Sequence, residues 1–286
     1  MKLARRRGIP LVTTFHSKYR DDFESMLSSP TLADLLTKRM MRFYYEADYI
    51  WVPSESTGRT LREYGYEGDY LVQENGTDVA IPSQEEYRRL RSKGQSSVGA
   101  SSEEAVLLFV GQHRWVKNIR LIVRGAAELA RRGRQFRLVF VGEGHERTEI
   151  ERFVHEQGIA DRTVFKGLIV ERERIKEIYA RADLFVFPSL YDTVGIVVRE
   201  AAAFGVPAVL VEGTNAAEQI RDGENGFLIQ NDAESLAAKV AEVLDHKDAL
   251  RRAGEGARKS IYRHWEGILD RVHDQYEHII REYAAA

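Results

Sequence analysis

The chain has 286 residues, 43% of them hydrophobic and 30% charged, enough for two domains or one large one with an ordinary core. Its 42 basic and 44 acidic side chains nearly cancel, which argues against a general nucleic-acid binder. No cysteine is present, so disulfides and zinc–thiolate sites are excluded, in keeping with a reducing cytoplasm.

In chain order, the apolar run Ile9–Phe15 predicts a first strand. Pro30 after Ser29 predicts a helix start leading into Leu32–Tyr45, because proline is pre-set for the first helical turn. Tyr49–Val52 predicts a second strand, Glu55–Tyr64 a helix capped by Ser54, and Tyr70–Val72 a third strand. The polar segment Ile81–Ser102, running out through SKGQSSVGASSEE, predicts a linker with a short helix. Strands are predicted at 105–110, 137–141, 163–166, 184–187 and 207–211, with helices between them. The Asn225–Gly226 turn leads into apolar Phe227–Leu228, then helices over 232–245 and 247–259, and a last long helix from Trp265 to Tyr283. Short apolar strands alternating with amphipathic helices imply an α/β architecture with mainly parallel sheets.

The stretch from Asp183 to Pro207 says most about chemistry. The strand Leu184–Phe187 runs into a polar turn, Ser189–Thr193, and a helix starts near Gly195. Unpaired backbone N–H groups and a positive dipole end therefore sit just beyond a strand, where open α/β sheets bind phosphates and sugars. Asp192 lies on the rim of the turn and Glu200 follows eight residues later, inside the helix. From spacing alone, a strand–turn–helix with two solvated carboxylates accounts for these residues equally well.

The same stretch resembles the E-x7-E motif of the family-4 retaining glycosyltransferases, which have the GT-B fold of two Rossmann-like domains. The resemblance implies that the first acid, here Asp192, reaches the donor sugar and the second, Glu200, binds the ribose hydroxyls. The backbone of Thr193, Val194 and Gly195 would join Asp192 at the sugar. Gly205-Val206-Pro207 also matches the family, where a strand begins after this helix. Asp192-Thr193-Val194-Gly195 is similar to the E-T-Q-G variant of bacterial diacylglycerol glycosyltransferases, with Val194 in place of the amide.

Other segments carry the resemblance further. Phe109 to Asn118 resembles the family's V-G-R-x-x-x-x-K-N/G segment, whose Arg and Lys clamp the donor diphosphate. Lys117 matches the family's lysine, Gln112 stands at the arginine position, and Arg114 is two residues on; a solvated basic loop is the plainer reading. His16 follows the first strand, where the family carries a histidine that faces the donor sugar and acceptor, a residue able to hold or move a proton. Val141 to Arg147 resembles a V-G-x-G-P segment whose glycines, here Gly142 and Gly144, approach the nucleotide. Leu168, after Lys166-Gly167, would lie near the base, or else belong to the core. Asn75-Gly76-Thr77-Asp78 resembles the family's hinge into the second domain and reads as a turn. No D-x-D pair and no histidine cluster with metal-ligand spacing occurs, so no cofactor and no metal are expected.

The resemblance implies a partial N-terminal, acceptor-side domain at 1–78 and a linker at 79–104. A nucleotide-sugar donor domain at 105–264 would follow, and the helix 265–286 would cross back. The family's opening βαβ units and glycine-rich loop have no counterpart in the sequence, and half a Rossmann sheet exposes an edge. A partner chain completing the domain, a truncated reading frame and a degraded relative all stay open. The activity implied is transfer of a hexose from a nucleotide-diphosphate sugar, a UDP-sugar, to a glycan or lipid acceptor. A non-catalytic nucleotide-sugar-binding or scaffolding subunit is the alternative, and a nucleotide-sugar epimerase of the same fold a third reading. No apolar run approaches the roughly 20 residues of a membrane span, which predicts a soluble, cytoplasmic protein. The basic start (Lys2, Arg5, Arg6, Arg7) and the Lys18–Arg20 pair read as solvated charges or as a peripheral contact with an anionic membrane face.

Overall fold

The computed structural model describes residues 2–27 and 29–285, without the side chains of Lys2 and Ser25. The Lys2 side chain of the basic start, and the expected domain ends at Met1 and Ala286, therefore lie outside the described residues. The chain divides into two compact units. The first comprises Met1–Gly76, Tyr191–Val194 and Arg263–Ala286, and the second Thr77–Leu190 with Gly195–Tyr262.

In the first unit, strands β1 (Val12–Thr14), β2 (Tyr49–Val52) and β3 (Leu71–Val72) form a parallel sheet in that order, with Val12 opposite Tyr49 and Trp51 opposite Leu71. The expected strand Ile9–Phe15 is shorter in fact. Pro10 has no N–H to give, and the Leu11 N–H is taken by the Asp48 carboxylate at 2.8 Å. Helices α1 (Lys2–Arg7) and α2 (Tyr19–Leu27) go beyond what the sequence predicts; α2 has Asp21 and Asp22 in its first turn, favourable against its dipole. Helix α3 (Pro30–Tyr45) starts at its proline as expected, and α4 (Glu55–Glu63) is capped by Ser54, whose hydroxyl accepts from the Thr57 N–H at 3.2 Å.

Phe15 is the hub of this unit's core, edge-on to Tyr19, Tyr44 and Tyr64 at 5.4–5.9 Å. The Tyr19 and Tyr44 hydroxyls bond at 2.9 Å, and burial pushes the Tyr64 hydroxyl up to about 12. Trp51 packs on Tyr276 of the final helix at 4.8 Å between ring centroids.

The second unit is a six-stranded sheet in the order β6-β5-β4-β7-β8-β9, parallel throughout. The strands are β4 (Ala105–Val110), β5 (Phe136–Val141), β6 (Thr163–Phe165), β7 (Leu184–Val186), β8 (Ala208–Val211) and β9 (Phe227–Ile229). Counted within the unit this is 3-2-1-4-5-6, the doubly wound order, with its switch point between β4 and β7. Helices on both faces bury the strands, which is why AVLLFV and AVLV read as unbroken apolar runs.

Where a linker with a short helix is expected, the helix takes up most of the segment: α5 runs for fifteen residues, Gln84–Val98. Ser83 caps it, Gly99 ends it in the left-handed conformation, and Leu90, Gly94 and Val98 make a narrow buried stripe. A Cβ at Gly94 would overlap the Glu177 carbonyl, so the glycine sets how closely α5 approaches α8 (Arg172–Arg181). Small and polar residues bracket that stripe, which gives a helix the composition of a linker. The remaining helices are α6 (Ile119–Arg131), α7 (Arg147–Glu156), α9 (Ile196–Ala203), α10 (Ala233–Asp245), α11 (Lys247–Ser260) and, in the first unit, α12 (Trp265–Ala285). No described helix is long and apolar enough to cross a membrane.

Candidate functional site

The sequence-predicted residues of the second unit all lie along the carboxyl edge of its sheet. The loop after β4 carries Gln112, Arg114 and Lys117, and the loop after β5 carries Gly142 and Gly144. Leu168 follows β6, while Gly195 and Glu200 follow β7. Main-chain bonds tie these loops to one another. The N–H groups of Gly111 and His113 donate to Val141 and Glu143, both at 3.0 Å, and the Gly142 N–H donates to Gly167 at 2.9 Å. A Cβ at Gly142 or at Gly144 would overlap the carbonyl of Gly111 or of His113, so only glycine permits this approach.

Lys117 ends a 3-10 turn, Trp115–Lys117, for which Arg114 is the N-cap. Asn118 then takes the left-handed conformation at φ 60°, alone in this among the described residues other than glycine. Its amide donates to the Pro188 carbonyl at 3.0 Å and to Asn231 Oδ1 at 2.8 Å, pinning the loop after β4 beside the strand-end of β7. An αL position suits only Gly or Asn cheaply, which gives the K-N/G alternation a backbone cause.

Helix α9 begins at Ile196 with Gly195 as its buried N-cap residue. A side chain on Gly195 would press on Val198 at 2.8 Å and on the Phe187 ring at 3.0 Å. The Val198 N–H turns back to the Gly195 carbonyl at 2.9 Å, while those of Ile196 and Val197, in the first turn, have no intrahelical acceptor and so suit an anion or a sugar hydroxyl. One turn on, Glu200 is half-buried, and its Oε2 accepts from the Tyr179 hydroxyl at 2.7 Å. Burial raises the Glu200 carboxyl, opposed by the Tyr179 bond and by Arg172, while Asp78 adds to the rise. Tyr179 is fully buried on α8, and burial and the facing carboxylate push its hydroxyl well up. It therefore acts as a fixed donor that orients Glu200. Leu168 is 68% exposed, so it is a surface contact residue and not part of the core.

The remaining sequence-predicted residues belong to the first unit. His16 is exposed just after β1; its Nδ1 lies 3.1 Å from Ser17 Oγ, and its carbonyl accepts from Thr193 Oγ1 at 2.8 Å. Tyr191 donates to Asp22 at 2.6 Å, so both ends of the short segment Tyr191–Val194 are held. Asp192 helps to hold the Lys18 ammonium, whose pKa burial lowers while Asp21, Asp192 and Glu63 raise it. Val194 is half-buried. Among the described residues no group of three or more His, Cys, Asp or Glu side chains is placed to hold a metal ion.

Sequence reasoning passes over Tyr179 and His113, and over the left-handed backbone of Asn118. Tyr179 occupies a core position of a helix and gives no signal of its own, whereas Asn118 was legible as the last residue of the K-N/G match. His113 sits unmarked between the two residues that draw attention, Gln112 and Arg114.

Residues 91–260 match the family model for glycosyl transferases group 1, and residues 1–81 match glycosyltransferase family 4. Among curated proteins, the chain is 27% identical over 278 residues to N-acetyl-alpha-D-glucosaminyl L-malate synthase of Bacillus anthracis, covering 95% of this chain and 67% of that protein. It is 29% identical to D-inositol 3-phosphate glycosyltransferase of Nocardia farcinica, over 86% of this chain and 56% of the relative. The chain thus spans about half to two thirds of the length of the curated relatives it matches. Among solved structures, sucrose-phosphate synthase of Thermosynechococcus elongatus superposes with a TM-score of 0.82 at 23% identity, over 100% of this chain and 71% of the other. Anabaena HepE in complex with UDP and glucose gives 0.76 at 20% identity, over 96% and 73%. With a family model covering more than half of its length and the fold of these neighbours, the chain belongs to the group 1 glycosyl transferases, within the GT-B-fold family-4 glycosyltransferases.

Proposed function

We propose that the chain binds a UDP-sugar and transfers its hexose to a glycan or lipid acceptor, with retention at the anomeric carbon. The observation that carries this reading is Glu200, a carboxylate held by Tyr179 on the helix that begins at the sheet's switch point. In that place it accepts from two vicinal ribose hydroxyls. Lys117, with Arg114, neutralises the departing diphosphate, a clamp that calls on no metal. The N–H groups at the start of α9, with Asp192, Thr193 and Val194, take the sugar, and Leu168 packs on the base. His16 receives a sugar hydroxyl. In the retaining step the bond from C1 to the diphosphate oxygen breaks as the bond to the acceptor oxygen forms on the same face. A diphosphate oxygen takes the acceptor's proton, so no nucleophile is asked of the protein. Complexes of HepE with UDP-glucose and with UDP and glucose support the choice of donor class.

The test is calorimetry with UDP and UDP-glucose, followed by a UDP-release assay against an acceptor screen. L-malate and D-inositol 3-phosphate, named in the relatives' activities, belong in that screen beside glycans and diacylglycerol lipids. Donor binding, release of UDP and transfer of the hexose into an α-linked product are expected. Failure to bind any nucleotide sugar would sink the proposal, and binding with no turnover on any acceptor would make this a binding subunit.

A further inference from the structure

His113 is 0% exposed, and neither ring nitrogen has a hydrogen-bond partner. Its ring stands edge-on to Phe140 and Phe165 at 5.9 and 5.8 Å, against two rings that stack on each other at 5.0 Å. Its backbone N–H donates to Glu143, and its carbonyl lies against Gly144. The residue thus fastens the loop bearing Arg114 and Lys117 onto the loop after β5. Phenylalanine or leucine would fill such a pocket without burying two polar nitrogens, so packing alone gives the imidazole no purpose.

We propose that His113 is a positioning residue that holds the diphosphate-binding loop in place only while its imidazole is neutral. This rests on the proposed role of Lys117 and Arg114. A protonated ring would carry two donors with nothing to accept from them, in an aromatic pocket where the charge cannot be solvated. The charged groups facing it are Arg147 and Glu151 on α7 and Glu143 in the loop after β5, while β5 and β6 present Phe140 and Phe165 to it. Arg147 opposes a second cation and the two glutamates favour it, but both glutamates are already paired with Arg147. Burial first, then Arg147, lowers the His113 pKa. The sign follows: the closed loop favours the neutral ring, so closure is complete above the ordinary histidine value of about 6.5 and is lost as the pH falls below it.

UDP-glucose is the suitable probe, because its diphosphate has no group that titrates between pH 5 and 8. Its Kd, measured by calorimetry over that range, should rise from pH 8 to pH 5 about tenfold more in the wild type than in His113→Leu, whose remaining dependence is that of Glu200. A second variant, His113→Phe, guards against a folding failure of the first. In parallel, hydrogen exchange of amides 112–118, corrected for intrinsic rate, should accelerate at pH 5 in the wild type and not in the variants. Matching pH profiles of wild type and variants in either measurement overturn the inference and leave donor binding standing. If the wild type fails to bind UDP-glucose at pH 8, the proposed function falls, and the exchange experiment alone decides for or against His113.

Discussion

Glu200 pays a cost in the folded chain that its proposed role explains. A carboxyl raised by burial is more stable protonated, so its contribution to stability is present at low pH and lost as the pH rises through its folded value. Glu200→Gln should therefore leave the melting temperature at neutral pH unchanged or higher. The same change should weaken UDP binding about ten- to a hundredfold, the worth of hydrogen bonds to a charged acceptor. A variant that loses thermal stability and keeps its UDP affinity would make Glu200 a structural residue. Tyr179→Phe removes the hydroxyl that holds the Glu200 carboxyl down. The acid limb of donor affinity should then move to higher pH, readable from UDP-glucose titrations across the acid range. What was legible at this scale was the pair of acids, Lys117 and the two loop glycines, because each belongs to a spacing. Tyr179 and His113 were not, since a buried tyrosine or histidine shows its purpose only when its neighbours are known.

Elements with an apolar run or a clear start signal were read from the sequence to within a residue or two, as with β2, β4, β8 and, from its proline, α3. Helix α5 is longer than the short helix expected within a linker, because its stripe rests on Gly94, where closeness replaces side-chain volume. Gly94→Ala should force α5 away from α8 and destabilise the second unit by about 1–3 kcal/mol, the usual range for overpacking, measured by denaturant unfolding. Asn118 tests the loop in the same way. Asn118→Gly keeps the left-handed turn and loses two amide bonds, whereas Asn118→Ala loses the bonds and adds strain of about 1 kcal/mol. Alanine should be the worse substitution, and equal stability of the two variants would remove the backbone account of the K-N/G pattern. Asp183, which opens the segment most informative in sequence, is a structural residue instead. It receives Arg181 at 2.7 Å, Arg91 at 3.2 Å and the Val106 N–H at 2.8 Å, at the amino ends of β4 and β7. Asp183→Ala leaves Arg181, 3% exposed, without its counter-charge, at a cost of about 3–5 kcal/mol.

Over the whole molecule, the two units differ in how much they bury. The first gathers its core around Phe15 under a three-stranded sheet, while the second encloses a six-stranded sheet with helices on both faces. Amides of β4 and β5 should therefore exchange with solvent more slowly than those of β1 and β2, by at least tenfold in native-state hydrogen exchange, and equal protection would contradict this ordering. The sequence showed both sheets because their strands are apolar; it could not show that Tyr191–Val194 is held by first-unit partners, since that depends on Asp22 and the His16 carbonyl, far away in the chain. The glycine-lined contacts between the loops after β4, β5 and β6 have a consequence for inheritance. That platform is made of peptide groups, which every residue supplies alike, so its shape can pass down a lineage while the letters around it change. At 27% identity to a relative, most of the text has been rewritten. Selection has only to guard the few places where a missing side chain lets one stretch of backbone lie on the next, and new substrate preferences can be written on the residues that point outward from it.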